Sequence, residues 1–341
     1  MKVDICQEPA LWDAYVDASS AASNYHRWGW RQVIEATYGH QAYYLMASED
    51  GVPQGILPLF LIRSRVFGHS LVSVPFFSYG GALTSSPEVR DKLLGEAVEL
   101  GRDLGVRHIE LRQSHDPVFE TGWCDTCAKV TMLVSLPSSV EEYWAWISAR
   151  LRKRIRYGRK NGLTCEWGGG EAVDVFYPIF ANNMRNLGTP AYPRDWFVNM
   201  CRYAPEIRIL SLWDKGRAVA AAFLIPFRSV LELPWAASLR EGRDKFSPLL
   251  LYWTLLEWAI ENGYRWADLG RCTPGSGNYQ FKRHWTCEEK PLHWCYWLAP
   301  GARLPKRHAD NPRYRWAVRV WQHLPLGVAN WLGPRVVRSI P

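Results

Sequence analysis

The segment Trp266-Ala-Asp-Leu-Gly-Arg-Cys-Thr-Pro-Gly-Ser-Gly-Asn-Tyr-Gln-Phe-Lys-Arg-His-Trp285 carries the densest set of chemically useful side chains in the chain. A β-rich run ends at Leu269, a glycine-rich loop follows, and Lys282 stands between aromatic residues. A cation held near apolar walls acts strongly on an oxyanion as it forms, and loop N–H groups add to the same field. Asp268 and Arg271 flank the strand end as partners or orienters of that cation, with Gly277 and Tyr279 in the loop beside them. The competing reading is a plain turn with a surface salt bridge.

A second concentration of chemistry is charge. Residues 150–163 hold Arg150, Arg152, Lys153, Arg154, Arg156, Arg159 and Lys160 with no acid, a net +7. Residues 302–341 hold Arg303, Lys306, Arg307, Arg313, Arg315, Arg319, Arg335 and Arg338 against Asp310, again +7, which leaves the rest of a +8 chain at −6. Two basic surfaces on an acidic body point to specific anionic partners. In the first cluster Arg152, Arg156 and Arg159 form one stripe of a helix, while Leu151 and Ile155 mark another; guanidinium forks suit phosphate oxygens. A solvated helix face is the alternative. The second cluster is interleaved with Trp316, Trp321 and Trp331. Trp316, Val320, Trp321 and Leu324 are expected to share a side, as in an amphipathic interfacial segment, or else as a terminal helix packed on its domain; Pro325 and Pro334 are expected to interrupt it.

Several chemistries are excluded by what is missing. No Walker A loop, His-Glu-x-x-His, Gly-x-Ser-x-Gly or strand-flanked Gly-x-Gly-x-x-Gly occurs. Eight cysteines in 341 residues are too sparse for a disulfide scaffold. Cys124 and Cys127 have metal-knuckle spacing but lack a second matching pair, so no metal site is expected. No apolar run reaches the ~20 residues of a membrane span, and the acidic N-terminus lacks the apolar core of an export signal. A cytoplasmic location is expected, with peripheral contact at the inner face of the cell membrane as an option for residues 313–341.

The elements that position these residues read as a repeat. Tyr43–Ala47, a turn at Glu49-Asp50-Gly51, Gly55–Ile62, Ser70–Pro75, a helix over 87–104 and Arg107–Leu111 form one series. Ile207–Trp213, a turn at Asp214-Lys215-Gly216, Ala218–Phe227, Val230–Ala237, a helix over 247–262 and Arg265–Leu269 repeat it. The turn glycines lie 165 residues apart and the helix-ending Gly105 and Gly263 lie 158 apart. Each copy reads β-turn-β-β-α-β, which predicts an α/β fold of two duplicated lobes with a cleft between them. We expect lobes at 1–138 and 139–300 and a basic amphipathic segment at 301–341.

Phe281-Lys282-Arg283-His284-Trp285 resembles the Phe-Lys-x-x-Phe/Trp motif of the FemAB family of aminoacyl and acyl transferases, built from tandem GNAT-like lobes. Arg152-Lys-Arg-Ile-Arg-Tyr-Gly-Arg-Lys-Asn-Gly162 is similar to the family's pattern at the start of the second lobe. Tyr177-Pro-Ile-Phe-Ala-Asn-Asn-Met-Arg-Asn-Leu-Gly-Thr-Pro190, Pro75-Phe-Phe-Ser-Tyr-Gly-Gly81 and Ile109-Glu-Leu-Arg112 resemble the branch associated with exosortase and PEP-CTERM systems. The resemblance runs from about Tyr25 to the end of the chain.

This resemblance implies transfer of an aminoacyl or acyl group to an amine of a cell-envelope glycan or peptide precursor, with no tightly bound cofactor. Aminoacyl-tRNA, acyl-CoA or acyl carrier protein would be the phosphate-bearing donor. In the run closest to the phosphate loop of acetyl-CoA enzymes, Arg185-Asn-Leu-Gly-Thr-Pro190, the terminal proline lacks an N–H, which speaks against plain acetyl-CoA. Lys282 takes the oxyanion role, Asp268 and Glu110 are base candidates with Tyr279 third, Arg152, Arg156 and Lys160 hold phosphates, and Arg185, Tyr79 and Gly80 line the cleft. The rival readings are a carrier-protein-dependent N-acyl amino acid synthase and a non-catalytic scaffold in polysaccharide assembly.

Overall fold

The computed structural model describes residues 1–64, 68–113, 122–304 and 312–340. Lys306, Arg307 and Asp310, with the side chains of Arg313 and Arg315, lie outside the described part. Two compact units divide the chain: Met1–Ala128 with Pro291–Arg307 and Arg338–Pro341, and Lys129–Lys290 with His308–Val337.

Unit 1 opens with β1 (Lys2–Ile5), α1 (Pro9–Ala18) and α2 (Gly29–Tyr38), followed by β2 (Gln41–Glu49), β3 (Val52–Ser64) and β4 (Gly68–Val72). The short β5 (Leu83–Thr84), α3 (Pro87–Asp103), β6 (His108–Gln113) and β7 (Trp123–Ser135), which belongs to unit 2 from Lys129 on, follow. Strands β2, β3 and β4 are successively antiparallel, and β4 then pairs in parallel with β6 across the α3 crossover. Ser86 starts α3 by accepting a hydrogen bond from the Val89 N–H, and Pro87 occupies the first turn. The helix ends before Gly105, at φ 62. Its face of Val89, Leu93, Leu94 and Ala97 packs on Leu45, Leu57, Leu59 and Ile109.

Unit 2 contains α4 (Val140–Trp146), α5 (Ala149–Lys160), β8 (Thr164–Gly168), α6 (Val173–Leu187), α7 (Arg194–Tyr203), β9 (Arg208–Asp214), β10 (Arg217–Phe227) and β11 (Val230–Ser238). Next come α8 (Arg240–Arg243), α9 (Ser247–Glu261), β12 (Trp266–Cys272) and α10 (Gly277–Lys282), then β13 (Glu288–Leu298), which belongs to unit 1 from Pro291 on, and α11 (Pro312–His323) and α12 (Leu326–Val337). Here β9, β10 and β11 are successively antiparallel, and β11 pairs in parallel with β12 across α9. Order and direction are those of β2, β3, β4 and β6, as the repeat predicts. The two hairpin turns also match: Asp50 and Gly51 have φ 49 and 80, and Lys215 and Gly216 have φ 49 and 78. This double left-handed geometry follows the strand twist. Helix α9 is apolar nearly all round and buries Leu249, Leu251, Leu255 and Leu256 against Leu210, Leu212, Ala220 and Ala222. The other sheet face carries Phe176, Phe180, Phe197, Phe223 and Trp235, in ring contact with one another.

The units do not divide at residues 138 and 300. β6 is paired antiparallel by β13, which follows the second series in sequence. β12 is paired antiparallel by residues 130–135 of β7, which follow the first. Each series is thus completed by a strand that comes after the other one, an arrangement that local sequence signals do not encode. Among the described residues no helix is long and apolar enough to cross a membrane.

Candidate functional site

Strand β12 carries the candidate site. Its parallel pairing with β11 runs through Val230–Trp266, Leu231–Ala267 and Glu232–Asp268 and stops there. On the other edge, β12 pairs with β7 at Asp268–Leu133 and resumes at Arg271–Thr131, so one extra residue bulges at Leu269–Gly270. Gly270 sits at φ 80, and a Cβ there would fall 2.8 Å from the Leu233 carbonyl oxygen. Glycine is required both by conformation and by space.

Two side chains predicted from sequence hold this bulge from either side. Asp268 Oδ1 accepts hydrogen bonds from the Gly270 N–H at 2.7 Å and from the Thr131 hydroxyl at 2.5 Å. Lys282 Nζ donates to the Gly270 carbonyl at 2.7 Å and the Arg271 carbonyl at 3.2 Å. Lys282 closes α10, which begins where the Ser276 hydroxyl caps the Tyr279 N–H. Its side chain is only 3% exposed. Burial pushes the ammonium down to about 8, against the opposing pull of Cys272 and Asp268. An ammonium has three N–H groups, so a third remains beside these two bonds.

The neighbours of this pair differ from their sequence reading. Gly277 is the first residue of α10 and not part of a loose loop. The Tyr279 hydroxyl donates to Glu289 at 2.6 Å, and that bond holds the phenol above its usual range. Arg271 contributes its carbonyl to Lys282. Thr131 and Lys129, whose ammonium bonds the Thr273 hydroxyl and is pushed down by burial, join the site from β7. Cys272 and Cys287 flank Lys282, both thiols raised by burial and Cys287 to about 11. No sequence signal marks Thr131, which lies 137 residues before Asp268.

The arginine stripe on α5 is divided between structural and outward roles. Arg152 Nη1 donates to the carbonyls of Trp144, Ala145 and Ile147 at 2.9 to 3.1 Å and closes the C-terminus of α4. Arg159 makes a two-oxygen contact with Glu257 at 2.7 and 2.8 Å. Arg156 lies over the Trp144 ring and is exposed, as are Lys153 and Lys160. The outward basic face is therefore Lys153, Arg156 and Lys160. Leu151 and Ile155, which mark the other stripe, are buried.

Arg185 lies near the end of α6, and Gly188 at φ 74 terminates that helix. The run 185–190 is thus a helix C-terminus and not a phosphate loop, so Pro190 carries no argument about the donor. Arg185 donates to the Gln322 carbonyl, and its buried Nε has no partner. It borders a groove of about 870 Å³ shared with Asp174, Asn182, Trp213, Arg240 and Gln322, and the Trp213 indole N–H is buried with no hydrogen-bond partner. The connection from β11 to α9 adds Arg240 and Arg243 ahead of the α9 N-terminus, while Lys245 is held by both carboxylate oxygens of Asp214 at 2.7 Å.

Glu110, Tyr79 and Gly80 belong to unit 1. Glu110 Oε1 accepts from Arg112 Nε and Nη2 at 2.9 and 2.7 Å, both residues essentially unexposed. Arg112 also donates to the Phe77 carbonyl and lies 4.5 Å from the Trp294 ring centre. The loop that includes Tyr79 and Gly80 holds Val74 and Phe76 in the left-handed region, at φ 39 and 77, a concentration of strain. A Cβ on Gly80 would meet Val74 at 2.5 Å. Cys124 donates to the Tyr296 carbonyl and Cys127 is exposed. Among the described residues no group of three or more His, Cys, Asp or Glu is placed to hold a metal.

Residues 148–283 match the acetyltransferase (GNAT) domain family. No characterised protein matches the chain by sequence. Among solved structures, the chain is similar to FemX, at 14% identity and TM-score 0.68 over 88% of this chain and 98% of that one. It is also similar to the C-terminal domain (DUF2156) of a putative lysylphosphatidylglycerol synthetase from Agrobacterium fabrum, at 16% and 0.58 over 86% and 92%. A tandem GNAT protein from the clavulanic acid biosynthesis pathway aligns at 12% and 0.53 over 87% and 98%. The match of residues 148–283 to the GNAT acetyltransferase domain family lies within a mixed α/β fold of the kind seen in FemX and tandem GNAT proteins.

Proposed function

We propose that this protein is a FemAB-type N-acyltransferase that moves an aminoacyl or acyl group onto an amine of a cell-envelope glycan or peptide precursor, in exopolysaccharide or PEP-CTERM-associated assembly. The donor is a phosphate-bearing aminoacyl-tRNA, acyl-CoA or acyl carrier protein, and the reaction takes place on the cytoplasmic side of the membrane. The observation that carries the reading is the Lys282 ammonium buried beside Asp268 at the β12 bulge, where the parallel pairing ends.

The chemistry requires placement more than unusual groups. The acceptor amine forms a C–N bond to the donor carbonyl carbon, whose oxygen takes up negative charge toward the third N–H of Lys282. A base removes the amine proton, and the carbonyl re-forms as the donor's sulfur or oxygen leaves with its electron pair and accepts a proton. Asp268 is the base candidate of unit 2, and its Oδ1 bonds keep the carboxylate oriented. The anionic donor is supported by the outward Lys153, Arg156 and Lys160 face and by Arg185 and Arg240 at the groove.

The test is single-turnover transfer from each of the three donors to an amine acceptor, with wild type and Lys282→Met. Transfer from one donor, reduced about 10²-fold in a folded variant, supports the reading. Absence of transfer from all three, or full turnover by the variant, overturns it. The scaffold reading has one observation in its favour, since Lys282 donates to the backbone carbonyls of Gly270 and Arg271.

A further inference from the structure

Helices α11 and α12 dock on unit 2 through small and apolar residues. Gly188 at the end of α6 meets Val318 of α11; a Cβ on this glycine would lie 2.5 Å from that side chain. On α12, Ala329, Gly333 and Val337 are buried at helical spacing, and Gly333 lies against the backbone of Ala191. Pro334 sits inside α12 without breaking it. These contacts account for the inner faces of both helices.

The outer faces have a different character. Trp316 and Val320, four residues apart on α11, are 68% and 42% exposed, and Trp331 and Val328, three apart on α12, are 60% and 42% exposed. Leu187, next to the glycine that meets Val318, is 59% exposed. Trp316 and Trp321 do not share a face: five residues turn a helix by about 140°, and Trp321 is half-buried with an enclosed indole N–H. Arginines accompany the outward tryptophans. Arg319 is exposed between Trp316 and Val320, and Arg335 lies 4.1 Å from the Trp331 ring centre. Residues 302–341 carry a net +7 in a chain whose remainder, apart from α5, is acidic.

We propose that the outward faces of α11 and α12 are a docking surface for an anionic lipid bilayer, which Trp316 and Trp331 enter at headgroup depth while Arg319 and Arg335 meet lipid phosphates. Large exposed indoles are costly in water and favoured at the interface of a bilayer, where the ring meets acyl chains and the N–H stays hydrated. Basic residues near an anionic surface add electrostatic attraction that salt screens. A protein partner could cover the apolar residues, but the excess of positive charge without acid on these faces matches a phosphate surface. The inference deepens the membrane-side placement proposed above, yet its test reads vesicle binding and not acyl transfer, so the two fail separately.

The experiment is cosedimentation of the full chain with vesicles of equal parts phosphatidylglycerol and phosphatidylcholine, and with phosphatidylcholine alone. Binding to the anionic vesicles, weakened by salt and at least tenfold stronger than to the neutral ones, is expected. The exposed pair Trp316→Ser and Trp331→Ser should lower that binding tenfold or more with an unchanged melting temperature. No binding to anionic vesicles, or equal binding by the double variant, overturns the proposal. So does a concentration-dependent dimer that the double variant abolishes, because the face would then belong to a second copy of the chain.

Discussion

Glu110 and Asp268 occupy the same station in the two units: each is the last residue of its strand to pair in parallel, Glu110 with Val72 and Asp268 with Glu232. Both are buried, and both turn their carboxylate onto the residue two positions on. Glu110 binds the Arg112 guanidinium, and Asp268 binds the Gly270 N–H. The duplication thus keeps a position while changing its chemistry. In unit 1 the acid neutralises an arginine, whereas in unit 2 a glycine replaces that arginine and a lysine arrives from α10.

This contrast predicts different costs. Glu110→Ala strands a buried guanidinium and should destabilise the protein by about 3–5 kcal/mol. Asp268→Asn retains an oxygen that can accept from both Thr131 and Gly270, so its denaturation midpoint should move little while turnover falls 10²-fold or more. Chemical denaturation and single-turnover transfer read the two effects. A stable Glu110→Ala protein, or full activity in Asp268→Asn, contradicts the respective role.

Lys282 gives two pH signatures. Its folded value, about 8, lies below the ordinary 10.5 of an unfolded lysine. Between these values the unfolded chain binds more protons, so stability rises with pH across the window and falls back as pH drops through about 8. The rise attributable to this group is about 3 kcal/mol, and Lys282→Met should lack it. If the cation stabilises the oxyanion, turnover is level below pH 8 and falls above it. An increase above pH 8 would instead assign Lys282 the role of base.

The Gly270 bulge is the narrowest steric requirement in the site. Gly270→Ala places a methyl against the Leu233 carbonyl at a left-handed φ. It should lower stability by about 2 kcal/mol or more and displace both Asp268 and Lys282. Wild-type stability together with wild-type turnover would show that the bulge adapts.

Much of the fold was legible because its signals are local. Turn glycines, helix-ending glycines and β-rich runs located the matched series of strands and helices to within a few residues. Lys282 and Asp268 were legible as residue types at a strand end. The bulge that joins them was not, since it depends on register against β7, and Thr131 reaches Asp268 from 137 residues away. The exchange of β7 and β13 was likewise invisible, because nothing local in a strand names its neighbour. The arginines of α5 showed the opposite failure: spacing placed Arg152 and Arg156 on one stripe, but only tertiary contacts reveal that Arg152 closes α4.

That division of α5 yields the last prediction. Arg152 holds three carbonyls at the end of α4, so Arg152→Gln should lower the melting temperature by several degrees, as expected for the loss of about 1–3 kcal/mol of charge-assisted hydrogen bonding. Its effect on the salt dependence of anion binding should be small, because its guanidinium points at the backbone. Lys153, Arg156 and Lys160 are exposed, and replacing all three by Gln should leave melting nearly unchanged. With tRNA as the probe, each lost phosphate contact lowers the slope of log affinity against log salt by about 0.7–0.9, so the triple variant should lose about 2. A fluorescence titration over a range of salt concentrations measures both variants. A flattened slope in Arg152→Gln with an unchanged slope in the triple variant would reverse the assignment and return Arg152 to the anion-binding face.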